Sequence, residues 1–505
     1  MFHPKNASNM KLNKKGGIFT LIIMVVAVVL IIFSLAVYYW VKTNLMSDGG
    51  AGFLKSPFVM DILQKEVSEK MGSDTAALVP ILPRLLGVSR PMNYLVLFLN
   101  NTEMRPGGGF IGSYAVVNVE RGRMNIVKMS GSEALDRGVS DTWRPEPPAI
   151  LREHLGVDRW YFRDANWSPD FAESAMKTLE LYRGEGGERA DSIDGVIGVT
   201  TDVFARLLGI TGPISVGGID FNSNNAVEKL EYEVEYGYTD KGVARTDRKD
   251  IMEPLALAIT QKIGTDLSSL VTKLGPLFQE MSREKHIFMY LSDDDLQKRI
   301  TESGLSGRVK DLAIGNDAVL WVDANLAALK TDYAIQRNLF YTLKKVDGEW
   351  RARVEMKYVH TGKFDWRTTR YRTYARVFVP TGSEFIRGEG AMKWDRSTEV
   401  GKYDIGTELG RSWFGAFIAI EPGETKTLAF EYVLPLDIGA KIDAGEYSLQ
   451  VEKQNGLPEL GLTLQLEFGK NVVPITPEET EGKRGDAIFD YSANLREDLS
   501  VRVGF

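Results

Sequence analysis

The residues best placed to do chemistry lie in one short stretch. Asn100, Asn101 and Glu103 precede Arg105, and Pro106, Gly107, Gly108 and Gly109 follow, with Ser113 shortly after. Consecutive glycines expose backbone N–H groups, and with one guanidinium these can hold an anion. A tight turn that lets the chain re-enter a sheet would need the same residues, and both roles stay open. A second group is Arg245 and Arg248. Three residues apart, they share one face near a helix start, where the helix dipole also favours a phosphate or carboxylate. Asp247 and Asp250 offer the plainer role of salt-bridge partners. Asp136, Asp141, Asp164 and Asp170 offer oxygen ligands to a divalent cation, but their spacing matches no metal loop, so surface solvation is the expectation. Trp143, Trp160, Tyr161, Phe162 and Trp167 form either a sugar-stacking platform or, more in line with aromatic clusters generally, core. The glycine stretch is neither a P-loop nor a dinucleotide fingerprint, and no G-x-S-x-G occurs.

These residues need positioning elements. The run Tyr94 to Leu99 is continuously apolar, as a strand buried on both faces requires. Ser113 to Val119 and Met124 to Met129 read as an extended pair joined by a hairpin at Glu120-Arg121-Gly122-Arg123. Ser168 as N-cap and Pro169 at the first position predict a helix toward Gly184. Trp160 to Asn166 reads as short and extended, and Ile193 to Thr200 as a second apolar strand. Thr201 or Asp202 caps the helix after it, and Ser292 opens another. Strands alternating with helices to about Asp332 predict an α/β domain with a sheet covered by helices. After it, alternating runs with turns at Asp347-Gly348, Pro380 to Gly382 and Pro422-Gly423 predict an all-β sandwich.

The 505 residues exceed one ordinary core, so two or three folded units are expected. A net charge of -7 gives no reason to expect nucleic acid. With no cysteine, disulfides, thiolate zinc sites and a cysteine nucleophile are excluded. The histidines His3, His154, His286 and His360 are scattered, which argues against a histidine-rich metal centre. Residues 16–41 carry no charge, long enough to cross a bilayer. Lys5, Lys11, Lys14 and Lys15 precede them, and Tyr38, Tyr39 and Trp40 close the far end. The expected layout is a cytoplasmic tail over 1–15, a single transmembrane anchor over 16–41 and a juxtamembrane helical segment over 42–90. The α/β domain follows over 91–332 and the β-sandwich over 333–505, both outside the cytoplasm.

Several stretches resemble an uncharacterised family of membrane-anchored bacterial envelope proteins in the domain-of-unknown-function series. They are LVLFLNNTEMRPGGGFIGSYAVVNV, DANWSPDFAESAMKTLELY, IDGVIGVTTDVFARLLGITGPI, Asp247-Arg248-Lys249 and VDANLAALKTDYAIQRNLFYTL. The order of elements is similar to the LytR-CpsA-Psr phosphotransferases, which attach lipid-pyrophosphate-linked glycopolymers to the cell wall. Ile193-Asp194, Thr211-Gly212-Pro213 and Arg245-x-x-Arg248 fall in corresponding places, which implies pyrophosphate clamps at Arg245 and Arg248. The departures are specific. Asn101 stands where that family's metal-binding Asp is expected, and Phe110-Ile111-Gly112-Ser113 replaces its Arg-Ser-Asp-Thr.

The resulting expectation is a single-pass envelope protein of the cell membrane, binding a glycopolymer or lipid-linked phosphate precursor, or acting as a scaffold for envelope proteins. A divergent phosphotransferase is the first alternative, with magnesium implied only in that case, and a purely structural or adhesive surface protein the second. No cofactor is otherwise implied. The expected ligand residues are Asn100, Asn101, Glu103, Arg105, Gly107, Gly108, Gly109, Ser113, Arg245 and Arg248.

Overall fold

The computed structural model describes residues 57–240, 251, 254–255, 258–259, 261–262, 267–480 and 485–505. The expected anchor and both Arg245 and Arg248 lie outside the described residues. No described helix is long and apolar enough to cross a membrane. The chain is a mixed α/β protein with several sheets and a β-rich C-terminal region.

A five-stranded sheet has the order β3-β2-β1-β4-β7. Its members are β1 (Met92–Asn100), β2 (Phe110–Glu120), β3 (Arg123–Gly131), β4 (Gly195–Thr200) and β7 (Ile287–Leu291); the short pair β5 (Ile214–Val216) and β6 (Ile219–Phe221) stands apart. Central β1 runs antiparallel to β2 and parallel to β4. Successive side chains of a strand face opposite ways, which explains its unbroken apolar run. Tyr94 and Val96 join one core with Val203 and Leu207 of the helix Thr201–Thr211 and Leu274 and Phe278 of the helix Leu267–Arg283. Leu95, Leu97 and Leu99 join the other with Phe171, Ala175 and Tyr182 of the helix Phe171–Gly184. Helices therefore cover both faces.

Four local readings shift. The helix after β4 has Thr200 at its N-cap rather than Thr201 or Asp202, with no side-chain cap bond. The N-cap of Phe171–Gly184 is Asp170 rather than Ser168, because the Asp170 carboxylate accepts from the amides of Ala172 and Glu173. Asp293, not Ser292, caps Asp294–Glu302 by accepting from Leu296 N–H. Within the stretch read as extended from Trp160, residues Phe162–Asp164 form a single 3-10 turn, held where the Phe162 amide donates to Glu185.

The C-terminal region holds two large sheets. One has the order β12-β15-β10-β9-β17-β19, with β9 (Ile335–Val346), β10 (Glu349–His360), β12 (Glu384–Glu389), β15 (Thr425–Val433), β17 (Leu460–Glu467) and β19 (Ile488–Leu495). The other has the order β13-β14-β11-β8-β16-β20-β18. Its strands are β8 (Asp317–Asn325), β11 (Tyr371–Pro380), β13 (Asp404–Glu408), β14 (Arg411–Ile420), β16 (Glu446–Glu452), β18 (Val473–Thr476) and β20 (Leu499–Gly504). Leu339, Val354 and Phe430 of the first sheet and Trp321, Val377 and Phe414 of the second share one apolar core. The hairpin between β9 and β10 turns at Asp347 (φ 53°) and Gly348 (φ 86°), the left-handed pair a two-residue hairpin needs. Strand β8, buried at every position, pairs with β11 and β16.

Candidate functional site

The stretch between β1 and β2 is a wedge seated against the C-terminal region. Arg105 is 4% exposed. Its Nε donates to Asp164 at 3.1 Å, Nη1 to the Asn325 carbonyl at 2.8 Å, and Nη2 lies 3.4 Å from Glu103. Burial alone would lower its pKa, but Asp164 and Glu103 hold it above the ordinary value. Gln454 Nε2 donates to the Arg105 carbonyl, and the Met104 amide to Asp332. The Gly107 amide donates to the Asn166 carbonyl at 3.0 Å and the Gly108 amide to Arg105 at 3.0 Å. A Cβ at Gly107 would stand 2.9 Å from the Asn166 Cβ, Gly108 has φ 121°, and a Cβ at Gly109 (φ 135°) would stand 2.7 Å from Asn100 backbone. Close backbone approach and a glycine-only conformation thus account for the run of glycines. Asn101 donates its amide to Asp202 and to the Gly456 carbonyl and accepts from Thr201 Oγ1 at 2.5 Å. Asn100 accepts from Thr102.

Beside this wedge lies a cavity of about 190 Å³ at the ends of β1 and β4. Phe98, Leu99, Phe110, Phe204, Leu230 and Leu255 give it an apolar interior. Asn100, Glu103 and Ser113, all singled out in the sequence, line it together with Thr200 and Ser132. Its charged lining is Glu103, Glu133, Glu231 and Glu235 against Lys330. Burial pushes Glu103 and Glu231 upward, with Arg105 and Arg367 respectively opposing. Glu231 accepts from Thr102 and pairs with Arg367 at 2.7 Å, while Lys330 reaches Glu235 at 3.2 Å. Burial opposes the Lys330 charge, yet Glu235, Glu103 and Glu231 raise its pKa. The structure therefore gathers Asn100, Glu103 and Ser113 at a cavity and turns Arg105 and the glycine amides Gly107 and Gly108 to internal partners.

Thr200 and buried His286 share a 2.8 Å hydrogen bond through Nδ1, and Asp202 lies 4.0 Å from that same nitrogen. A relay needs nucleophile and carboxylate on opposite ring nitrogens, so this is no triad. Burial holds His286 well below its ordinary pKa and hence neutral.

The four aspartates do not gather into one site, although Asp136 and Asp164 share Arg163. Asp136 pairs with Arg163 at 2.7 Å, Asp164 with Arg105, Asp141 with Arg159 at 3.4 Å, and Asp170 caps its helix. Among the described residues no three carboxylate or histidine side chains converge as a metal centre would require. Asn101 acting as an amide donor to Asp202 also does not fit a cation ligand set. Of the Trp143 to Trp167 aromatics, Phe162 is core with Trp143 and Trp160 against it, Trp167 lies under Arg376, and Tyr161 lies half-buried against Arg159 and Arg163.

Glu185, buried near Asp136, is pushed from the ordinary 4.5 up to about 8, first by burial and then by the Asp136 charge. The folded chain thus binds this proton more tightly than the unfolded one. The stabilisation is complete below pH 4.5 and is lost as pH rises to about 8. Glu185→Gln is expected to flatten the pH slope of the urea midpoint across that window, and an unchanged slope would place the proton elsewhere.

The cavity's outer wall comes from residues that nothing in the sequence singled out. Glu231 lies in the helix Ala226–Tyr232, Glu235 in the π-helical turn Glu233–Gly237 and Lys330 before β9, while Arg367, between β10 and β11, pairs with Glu231 without lining the cavity. The i,i+4 spacing of Glu231 and Glu235, each directly after an apolar residue (Leu230 and Val234), was the available signal.

No curated protein matches the chain. Among solved structures, TagV of B. subtilis, of the LytR-CpsA-Psr family, aligns with 12% identity over 45% of this chain and 85% of that one at a TM-score of 0.23. An M1 zinc metallopeptidase of Deinococcus radiodurans aligns with 10% identity over 34% of this chain and 43% of that one at a TM-score of 0.18. Scores this low carry no argument about fold or activity. Residues 89–235, which hold every cavity-lining residue except Leu255 and Lys330, match a family described as "Protein of unknown function (DUF4012)".

Proposed function

We propose that this chain is an outward-facing, membrane-anchored envelope protein that holds the hydrocarbon chain of a lipid-linked glycan precursor without cutting or transferring it. The observation carrying this reading is the apolar cavity of about 190 Å³ closed by polar groups at one set of strand ends. Ligand sites in α/β sheets open at strand ends. The volume falls below the ~300–1,000 Å³ usual for drug-sized ligands, which suits one slender chain. An apolar interior under a charged rim suits an amphiphile, each buried methylene contributing about 0.8 kcal/mol.

The same rim speaks against phosphoryl transfer. That chemistry needs positive charge around the transferring group. Among the described residues four glutamates line the cavity against Lys330, and Arg105 is committed to Asp164 and Glu103. A divergent LytR-CpsA-Psr-like phosphotransferase remains the second reading, resting on Arg245 and Arg248. We read the α/β unit as LytR-CpsA-Psr-like and the β-rich region as a sandwich behind one transmembrane helix, with glycopolymer and envelope proteins as partners.

The test is calorimetry of the full chain in detergent micelles with a polyprenyl-pyrophosphate disaccharide, with and without magnesium. Saturable binding without phosphate release is the expected result. Magnesium-dependent release of the lipid phosphate would replace this reading with the enzyme. Absence of binding in both conditions would favour a surface scaffold.

A further inference from the structure

Beside the cavity's charged wall stands a cluster of aromatic rings. Tyr232 is 40% and Tyr236 45% exposed, Tyr333 and Phe364 are exposed as well, and Trp366 is half-buried. The Tyr232 and Tyr236 rings lie 6.2 Å apart and 28° from parallel. Trp366 meets both edge-on, at 5.3 Å and 81° from Tyr232 and at 5.8 Å and 78° from Tyr236. The arrangement is built. Glu231, next to Tyr232, is pinned to Arg367, next to Trp366, at 2.7 Å, and the Arg367 guanidinium sits 3.8 Å over Tyr333. Tyr236 lies in a π-helical turn, a departure from α-geometry that is frequent at functional sites. Among the described residues, no hydrogen bond uses the Tyr232 or Tyr236 hydroxyls or the Trp366 indole N–H.

We propose that Tyr232, Tyr236 and Trp366 form a platform for the saccharide of the same amphiphile, selecting a neutral, hydroxyl-rich glycan. This rests on the lipid-binding reading of the adjoining cavity, whose wall includes Glu231, Val234 and Glu235 on the same helical segment. A pyranose presents a C–H face that packs on aromatic rings and a rim of hydroxyls that needs donors and acceptors. Two exposed phenol rings and a half-buried indole meet both needs. The charge pattern narrows the occupant. An anionic membrane surface is drawn to clusters of unpaired basic residues. Of the described cations here, Arg367 is paired with Glu231 and Lys330 with Glu235, and Lys363 stands beside Asp365, so no basic cluster forms among them. A polyanionic glycopolymer is disfavoured on the same ground.

Calorimetry of the full chain in micelles with an N-acetylglucosamine tetramer, its sulfated counterpart and a long-chain alkyl probe tests this. The neutral tetramer is expected to bind, and the sulfated one at least tenfold more weakly. Tyr236→Ala and Trp366→Ala each weaken the tetramer tenfold or more and leave the alkyl probe unchanged. Filling the cavity with Leu230→Trp does the reverse, so failure of the platform and failure of the cavity are read apart. No tetramer binding by the intact chain, or equal binding of the sulfated form, overturns the proposal. So does a Tyr236→Ala variant that keeps sugar affinity but loses association with phosphatidylglycerol vesicles, which would make the patch a membrane contact.

Discussion

Leu230→Trp is expected to weaken binding of a long-chain alkyl probe to the full chain by about fifty-fold while the chain stays folded. Leu230 lines the cavity from the helix Ala226–Tyr232, partly buried against the sheet's core. An indole in its place occupies space that roughly three methylenes of the ligand would fill. At ~0.8 kcal/mol each, that is about 2.4 kcal/mol of lost burial, which gives the fifty-fold figure. The cost to folding is smaller than ordinary overpacking, ~1–3 kcal/mol, because the added rings enter empty volume. Leu436→Trp is the control, since Leu436 is 93% exposed and does not line the cavity. Equal probe affinity in the Leu230→Trp and unaltered chains would remove the cavity as the chain-binding site.

Arg105→Leu separates the two roles that its sequence context left open. An anion clamp predicts lost ligand affinity with little change in stability. The structure predicts the opposite, a loss of ~3 kcal/mol in urea unfolding, because Asp164 and Glu103 lose their shared buried counter-ion and keep only the weaker influence of Arg163 and Lys330. Arg105→Lys should recover little of it. The guanidinium serves Asp164 through Nε, the Asn325 carbonyl through Nη1 and Glu103 through Nη2, and an ammonium cannot span that fork. A stable Arg105→Leu chain with abolished anion binding would restore the clamp.

Much of the fold was legible because its signals are local. The apolar run before Asn100 has the pattern of a doubly covered strand, and β1 carries helices on both faces. The Asp347-Gly348 dipeptide needs left-handed backbone, and the β9–β10 hairpin turns there. Caps were less legible. Ser168, Pro169 and Asp170 all favour a helix start, and only the approach of the Ala172, Glu173 and Val309 amides selects Asp170. The site was half legible. Asn100, Glu103 and Ser113 reach the cavity, whereas Arg105 looked like a ligand group because its partners Asp164 and Asn325 are distant in sequence.

The sequence by itself determined the strands β1 to β4, the helices Phe171–Gly184, Thr201–Thr211 and Leu267–Arg283, the change to β-rich structure and the absence of cysteine chemistry, but not β7, β8 or the helix Ala226–Tyr232. Each feature it determined follows from periodicity, turn residues or composition within a few positions of the chain. The tertiary structure alone decided which polar groups remain for a ligand. A buried charge is satisfied by whatever the fold brings to it, and here that came from segments far apart in the chain. It also created the cavity and its aromatic border, since Leu230, Lys330 and Trp366 become neighbours of one site only when the helix Ala226–Tyr232 docks on the loop before β11.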